Sequence, residues 1–513
     1  MTRPVRPHLK HLYISTTMTT IPKHTLSKST FMKGCQCPKA LYLKKHHAEL
    51  KDEISAAQQA IFSRGTNVGE LAQGLFPGGV DASPADYYKF QESVVKTQKL
   101  IAAGEKIIYE AAFQFDGVLC ALDILVKKKG NWYAYEVKSS TGVSKTYHLD
   151  ASLQYYVITN AGIDLKGISI VHINNQYVRN GAIDIEQLFT IESVLEEVQK
   201  LQPSMAGKIK ELKGVLKLKE VPDIKIGPHC SDPYGCDFQG HCWKHIPTER
   251  SVFNLSYAGG RQWDLHKKGI YSLEDVPDDY PLNDKQKMQV SAYKTGEVYI
   301  DKDGIRDFLK TVKYPMYFFD FETIMPAVPM WNKSTAYQQI TFQYSLHYQG
   351  SKNGKLQHSE FLAETSGVKD PRIALIEQLI IETEKPGQIW VYHIGFERSR
   401  LQEIARDFPK YRKAALSIAD RLVDLMIPFQ QRLYYAPDMD GRYSIKKVLP
   451  ALVPELSYGD LEIQEGGTAS AIFESMISGT FEGNATTTRE HLLAYCKLDT
   501  LAMVRILEKL QKS

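Results

Sequence analysis

The placement of cysteines constrains this chain more than any other feature. Cys37 stands near the start, and Cys230, Cys236 and Cys242 follow far downstream as C-x5-C-x5-C. Pro233, Gly235 and Gly240 interleave the late cysteines, giving a loop able to wrap a metal centre. Thiolates at this spacing suit zinc or an iron–sulfur cluster. A shared centre would pin two distant segments together, closing one domain between them and turning metal binding into folding free energy. Cys35 competes with Cys37 for the fourth position. Cys120 and Cys496 lie in apolar runs and read as buried thiols.

A chain of 513 residues exceeds what one core organises, so two or three domains are expected. Its 43% hydrophobic and 24% charged residues are ordinary for a folded soluble protein. No run of about 18 apolar residues marks a membrane span. The first residues are basic without an apolar stretch or a small-residue cleavage site, so 1–25 read as a basic tail and export is disfavoured. In a chain of cytoplasmic character, cysteines argue for metal binding or buried thiols over disulfides. The net charge of +4 and pI near 8.4 are mildly basic. Lysines cluster at Lys39, Lys44 and Lys45, at Lys127 to Lys129, and from Lys208 to Lys219. They are either solvated faces or contacts for a polyanion.

The pattern along the chain predicts α/β architecture. Residues 26–80 look helical up to the stop at Phe76-Pro77-Gly78-Gly79. Strands are expected at 107–113, 119–126 and 132–138, with a turn at Lys129-Gly130-Asn131, then a helix through Leu153 to Val157 and a strand at 168–173. Residues 184–219 read as amphipathic helix, and the three cysteines close a domain spanning 26–249. Residues 250–312 read as a helical linker with helix-hairpin character. A second domain, 313–513, opens on the strongly apolar strand 316–322, continues through the strand 389–392 and closes with a helix through Leu492 to Leu510. There are no internal repeats, no low-complexity tract and no phosphate loop of the G-x-x-x-x-G-K-[ST] type.

Between the cysteines, Glu136 and Lys138 sit two apart on a strand, so both side chains leave one face. Glu-x-Lys alone is weak, since about two are expected by chance in a chain of this size. Its context is stronger, because Asp123 ends the preceding strand of the same hairpin. Two hard carboxylate ligands and an ammonium suit Mg²⁺ or Mn²⁺ against a phosphate and a water. Glu110 on the strand before and Gln154 on the following helix are candidates to complete the metal shell. The competing reading is a surface hairpin with a Glu136–Lys138 salt bridge, disfavoured because the flanking apolar runs imply burial.

Asp123-x12-Glu136-x-Lys138 with Gln154 on the next helix resembles the PD-(D/E)XK nucleases of the RecB-like branch, with a restriction-endonuclease-like core. The cysteine bracket, with Cys37-Pro38-Lys39-Ala40-Leu41-Tyr42, is similar to CRISPR-associated RecB-like exonucleases and AddB-type nuclease domains. That resemblance implies a [4Fe-4S] cluster on Cys37, Cys230, Cys236 and Cys242, with a structural zinc site as the alternative. One departure is Gly65-Thr66-Asn67-Val68-Gly69, where many relatives have G-T-x-x-H with a metal-site histidine.

Asp320 and Glu322 lie on one face of the most apolar strand in the chain. Paired like charges there are disfavoured unless a cation neutralises them. Near the end, Tyr495 and Asp499 are one helical turn apart on one face. These residues resemble the DEDD exonucleases of RNase H-like fold in their Tyr-x3-Asp variant. The resemblance implies that Asp320 and Glu322 form the first motif, Asp499 the last ligand, and that Tyr495 positions the nucleophile. The middle motif, usually Asn-x3-Asp, falls on His393 and Glu397, and Asp424 is a further acidic candidate. An active 3′–5′ exonuclease, a weakened catalyst and a non-catalytic binding fold all fit this pattern.

The fusion resembles a bacterial family joining these two domains. It implies a cytoplasmic, metal-dependent nuclease acting on DNA ends or single strands, in repair or in defence against foreign DNA. DNA is favoured over RNA, and a helicase or defence-system partner is compatible. Tyr155, Tyr156 and the 29 tyrosines overall permit base stacking. The alternatives are an RNA-processing 3′–5′ exonuclease and a catalytically weak nucleic-acid-binding scaffold.

Overall fold

The computed structural model describes residues 23–54, 56–86, 89–367 and 369–512. The basic tail expected over 1–25 lies outside them as far as residue 22. The first part of the chain runs β1 (Leu26–Ser27), α1 (Lys28–Gln36), α2 (Pro38–His46), α3 (Ala56–Ala72), β2 (Val80–Asp81), α4 (Phe90–Ala103), β3 (Ile107–Phe115), β4 (Val118–Lys128) and β5 (Asn131–Lys138). It continues through α5 (Lys145–Asn160), β6 (Leu165–Ile173), α6 (Ile185–Leu188), β7 (Phe189–Ser193) and α7 (Leu195–Val215).

Two tight turns set the frame of this sheet. Asp116-Gly117 and Lys129-Gly130 each place two consecutive residues at positive φ. That is the backbone of a type I′ turn, whose twist matches its flanking strands. The result is the order β2-β3-β4-β5-β6-β7, with β5 and β6 parallel through the crossover helix α5. β3 covers one edge of β4 from Val118 to Val126. The other edge is shared: β1 pairs with Val118 and Leu119, and β5 pairs only from Ile124 onward. Residues 120–123 therefore face a notch between β1 and β5. The long helix expected over 184–219 is corrected to α6, β7 and α7. Phe189–Ser193 finds the free edge of β6, and tertiary pairing overrides the local helical pattern.

One face of the sheet packs on α1, α5 and α7 around Phe31, Leu122, Leu153 and Ile209. The other face carries Val68 of α3 with Ile124, Tyr135 and Val171, and it also receives Ala327 and Ala336 from the C-terminal part. Further ties join the two parts. Arg64 pairs with Glu474 at 2.9 Å, Arg179 donates to the carbonyls of Pro329 and Met330 at 3.0 and 2.6 Å, and Tyr337 donates its hydroxyl to the Ser139 carbonyl.

Residues 250–312 have their own small core of Val252, Leu265, Leu273, Val276, Val290 and Tyr293. This layer docks on the C-terminal part, with β8 (Tyr299–Ile300) pairing with β14 (Tyr434–Tyr435) and Tyr293 donating to Asp440 Oδ1 at 2.8 Å.

The second large sheet has the order β11-β10-β9-β12-β13 and comprises β9 (Met316–Ile324), β10 (Ile340–Gln349), β11 (Gln357–Leu362), β12 (Gln388–Val391) and β13 (Leu422–Asp424). Central β9 is buried on both faces, which explains its continuous apolar texture. Tyr317, Phe319 and Phe321 face one core, while Met316 and Phe318 face the other, shared with the terminal helix Ala485–Leu510. By strand alternation Asp320 and Glu322 fall on the face that meets this helix. Among the described residues, no helix is long and apolar enough to cross a membrane.

Candidate active sites and thiol pocket

The first carboxylate site occupies the notch beside β4. Asp123 and Glu136 stand opposite each other where β4 and β5 stop pairing, and Asp123 Oδ2 instead accepts the Val137 N–H at 2.5 Å. Glu110 would pair with Asp123 across β3, but it sits at φ 52° and the register skips it. A left-handed glutamate inside a strand is strained, and such strain gathers at functional sites. Glu136 is 1% exposed, and its Oε1 accepts from Lys138 Nζ at 2.8 Å and from Lys28 Nζ at 2.6 Å. Lys138 also donates to Asp150 Oδ2 at 2.6 Å. Gln154, one turn after Asp150 on α5, reaches Asp150 at 3.5 Å.

The electrostatics follow from this packing. Burial opposes ionisation of Glu136, but Lys138 and Lys28 outweigh it and hold the carboxyl below its usual range. Burial and the Glu136 charge push Asp123 well up and Glu110 up to about 7. Glu136 Oε2 and Gln154 Oε1 are buried without a hydrogen-bond partner. Oxygen acceptors without donors, beside a carboxylate that resists ionisation, fit a hard divalent cation. Glu136, Lys138, Asp123 and Glu110 thus converge, and Gln154 reaches the group through Asp150.

The second site gathers Asp320 and Glu322 from β9, Glu397 from the helix Ile394–Asp407, and Asp499 from the terminal helix. Asp320 and Glu322 offer oxygens within 4.8 Å of each other and of the Cys496 sulfur. Tyr458 donates to Asp499 Oδ1 at 2.5 Å, and Lys446 lies 5.2 Å from the Tyr495 ring and 5.4 Å from the Tyr458 ring. Burial and Asp499 push Glu322 up to about 8, while burial and Asp424 push Glu397 up to about 8. Burial lifts Asp499 to about 6 against the pull of Tyr458, Lys446 and Tyr495. Asp320 rises well above its usual range through burial, Asp499, Glu322 and Glu397. Glu397 is 1% exposed, and its Oε2 has no partner. Asp320 and Glu322 are the carboxylates whose oxygens come together, with Asp499 and Glu397 close enough to act on Asp320 by charge, and a divalent cation would relieve their shared resistance to ionisation. Burial also raises the Cys496 thiol, so it stays protonated. Asp424 acts on the backbone instead. Its oxygens accept the N–H groups of His393, Ile394 and Met426 at 3.1, 3.0 and 2.9 Å, fixing the start of the Glu397 helix.

Cys37, Cys230, Cys236 and Cys242 line one small cavity with Ile224 and Phe238. Cys35 packs instead against the core beneath the first sheet, and burial pushes its thiol up to about 11. Among the described residues, no three of the four lining sulfurs lie within 4.8 Å of one another. Four thiols on one cavity suit a zinc ion or an iron–sulfur cluster.

A cleft of about 540 Å³ is lined by Asn175 of the first part and by Tyr337, His393, Phe396, Arg400 and Glu403 of the second, among others. Tyr337 and His393 both hold positive φ, 57° and 79°.

Sequence reasoning missed Lys28, Asp150, Tyr458 and Lys446. Asp150 alone had a local signal, one helical turn before Gln154. The others reach their sites only through tertiary folding.

The family described as "Domain of unknown function (DUF2779)" matches residues 317–444, the stretch that carries Asp320, Glu322 and Glu397. The chain is 24% identical over 406 residues to the "Uncharacterized protein MG366 homolog" of Mycoplasma pneumoniae, covering 68% of this chain and 60% of that protein. It is 26% identical over 400 residues to "Uncharacterized protein MG366" of Mycoplasma genitalium, with the same two shares. It is 27% identical over 241 residues to "Uncharacterized protein UU173" of Ureaplasma parvum, covering 42% of this chain and 34% of that protein. The aligned part thus spans 60% or less of each of these relatives.

Proposed function

We propose that this chain is a metal-dependent nuclease with two phosphodiester-cleaving centres, one a RecB-like PD-(D/E)XK core and the other a DEDD-type site on an RNase H-like sheet. The observation that carries the reading is the second site. Asp320, Glu322, Glu397 and Asp499 come from three separate segments, and burial and mutual repulsion oppose their ionisation. Such a set has no evident structural purpose, and it matches what a divalent ion requires. The first site supports the same chemistry with Asp123, Glu136 and the strained Glu110.

Asp123, Glu136 and Glu110 would hold Mg²⁺ or Mn²⁺ in the first site, and Asp320, Glu322, Glu397 and Asp499 in the second. When bound, such an ion supplies charge stabilisation at the phosphate and a more acidic water. Lys138, fixed by Asp150 and Glu136, presents an ammonium to the notch. There it orients the attacking water or meets negative charge growing on phosphate oxygens. In the second site Tyr495 and Tyr458 stay protonated, since burial and then Asp499 raise both phenols. Tyr458 fixes Asp499, and Tyr495, which also acts on Asp499, would be the phenol that positions water. Lys446 adds positive charge beside both rings.

The four-thiol pocket would hold a [4Fe-4S] cluster, with zinc as the alternative, and would fasten α1 to the end of the domain. DNA ends or single strands are the favoured substrate. Tyr337 in the cleft would supply a stacking face, while Arg400 there is held by Glu403 at 2.7 Å and lies over the Phe396 ring. A cytoplasmic setting suits free thiols.

Labelled single-stranded DNA, duplex DNA and RNA incubated with the full chain and Mn²⁺ test this reading. Asp123→Ala and Asp320→Ala should each remove one part of the cleavage, and the double variant should remove all of it. Cleavage undiminished in the double variant would overturn the site assignment.

A further inference from the structure

We propose that Lys28 is a built-in counter-cation of the first carboxylate site, standing on Glu136 where a divalent ion would bind and competing with it. The inference rests on the nuclease reading of that site and adds a residue from outside the nuclease motif.

The topology places Lys28 there. Because β3 covers one edge of β4, β1 and β5 must share the other, and the notch lies between them. Lys28 follows β1 directly, at the first position of α1, whose start Ser27 caps. Its ammonium enters the notch 2.6 Å from Glu136 Oε1 and 4.0 Å from Asp150 Oδ1. Lys138 donates to the same Glu136 oxygen at 2.8 Å.

Two ammonium groups on one carboxylate oxygen repel each other, so the arrangement needs a reason. Lys138 is shared between Glu136 and Asp150, at 2.8 and 2.6 Å, so it neutralises only one of the two. The second positive charge is required by the whole set of Asp123, Glu136 and Asp150. Lys28 supplies it as long as no divalent ion does. Glu136 Oε2 meanwhile stays buried and unpartnered, so the ammonium satisfies only part of what the site demands. An ion ligated by Asp123 and Glu136 would meet Lys28 in contact with its own ligand. The lysine must then swing away, which its flexible four-carbon stem allows.

The position is also anchored from afar. Helix α1 ends at Cys37, a wall of the thiol pocket. Lys33 on α1 pairs with Asp237 at 2.8 Å, and Gln36 donates to the carbonyls of His229 and Tyr234 at 2.9 and 2.7 Å. The thiol pocket therefore sets where the helix delivers Lys28.

The test uses the full chain with Asp320→Asn and Asp499→Asn silencing the second site, and titrates Mn²⁺ while free Mn²⁺ is read by electron paramagnetic resonance. Lys28→Met should bind Mn²⁺ at least about tenfold more tightly than the parent, because a contact cation is gone. Lys28→Arg keeps the charge and should stay near the parent. In EDTA the Lys28→Met chain should melt below the parent, and saturating Mn²⁺ should close the gap. Lys28→Gln repeats the comparison if Met impairs folding. Unchanged or weaker Mn²⁺ binding in the Lys28 variants, with binding still abolished by Glu136→Gln, would overturn the role of Lys28 and leave the nuclease reading intact. Mn²⁺ binding that ignores Glu136→Gln would remove the metal site itself.

Discussion

Tyr458 donates its hydroxyl hydrogen to Asp499 Oδ1 at 2.5 Å, so a phenol outside the Tyr-x3-Asp pair holds the last carboxylate of the second site. A hydrogen bond to an ionised group contributes about 1.5–3 kcal/mol. Tyr458→Phe should therefore slow cleavage by the second centre roughly 10- to 100-fold, read in an Asp123→Ala background, and lower the melting temperature by a few degrees. Equal turnover in Tyr458→Phe would reduce this contact to packing.

The metal-free chain should lose stability as pH rises from about 4.5 to about 8. Glu322 and Glu397 move from an ordinary glutamate value to about 8, so the folded state holds protons that the unfolded state releases. With more protons on the folded form, the slope of unfolding free energy against pH is negative, and the contribution is gone above about 8. Asp499, lifted to about 6, acts in the same direction at lower pH. Melts in EDTA at pH 5.5 and 9 should fall by on the order of 5 °C more in the parent than in Glu322→Gln/Glu397→Gln. Mn²⁺ should raise the parent at high pH by more than it raises the double variant, which keeps only the first carboxylate site.

The elements legible in the sequence are those whose signal is local. The strand carrying Glu136 and Lys138, the apolar strand carrying Asp320 and Glu322, and the terminal helix carrying Tyr495 and Asp499 all announce themselves by periodicity. Strand Phe189–Ser193 did not, because its reason to be extended is the free edge of β6. Lys28 was invisible for a similar reason: nothing near it in the chain marks it as a partner of Glu136. Glu397 was legible by its spacing from His393. Asp424 was legible as an acid but not for its bonds to the backbone N–H groups of His393, Ile394 and Met426, which only the fold creates.

The two early cysteines should behave differently. Cys37→Ser should lower bound iron or zinc and the melting temperature together, because its sulfur lines the shared pocket. Cys35→Ser should leave metal content unchanged and cost about 1 kcal/mol, since Cys35 only packs against the core. Visible absorbance and metal analysis of anaerobically purified protein read both outcomes. The resemblance carried by the cysteine bracket favours iron. Stoichiometric zinc without absorbance in the visible region would reverse that preference.

Asp150 should prove to be a positioning residue for Lys138. Its Oδ2 accepts from Lys138 Nζ at 2.6 Å, and Gln154 reaches its other oxygen at 3.5 Å. Burial works against the Lys138 charge, while Glu136 and Asp150 together raise the lysine well above its usual value. Asp150→Asn keeps the shape and removes one of those charges. The ammonium then has one anchor in place of two, and it can swing out of line with the phosphate. Turnover by the first centre should fall about 10- to 100-fold, the loss expected for one charge-assisted contact, with KM nearly unchanged. Asp150→Ala should do the same and destabilise the fold as well, because it leaves the buried amide of Gln154 without its acceptor. If Asp150→Asn raised KM and left kcat intact, the residue would be acting on substrate binding and not through Lys138.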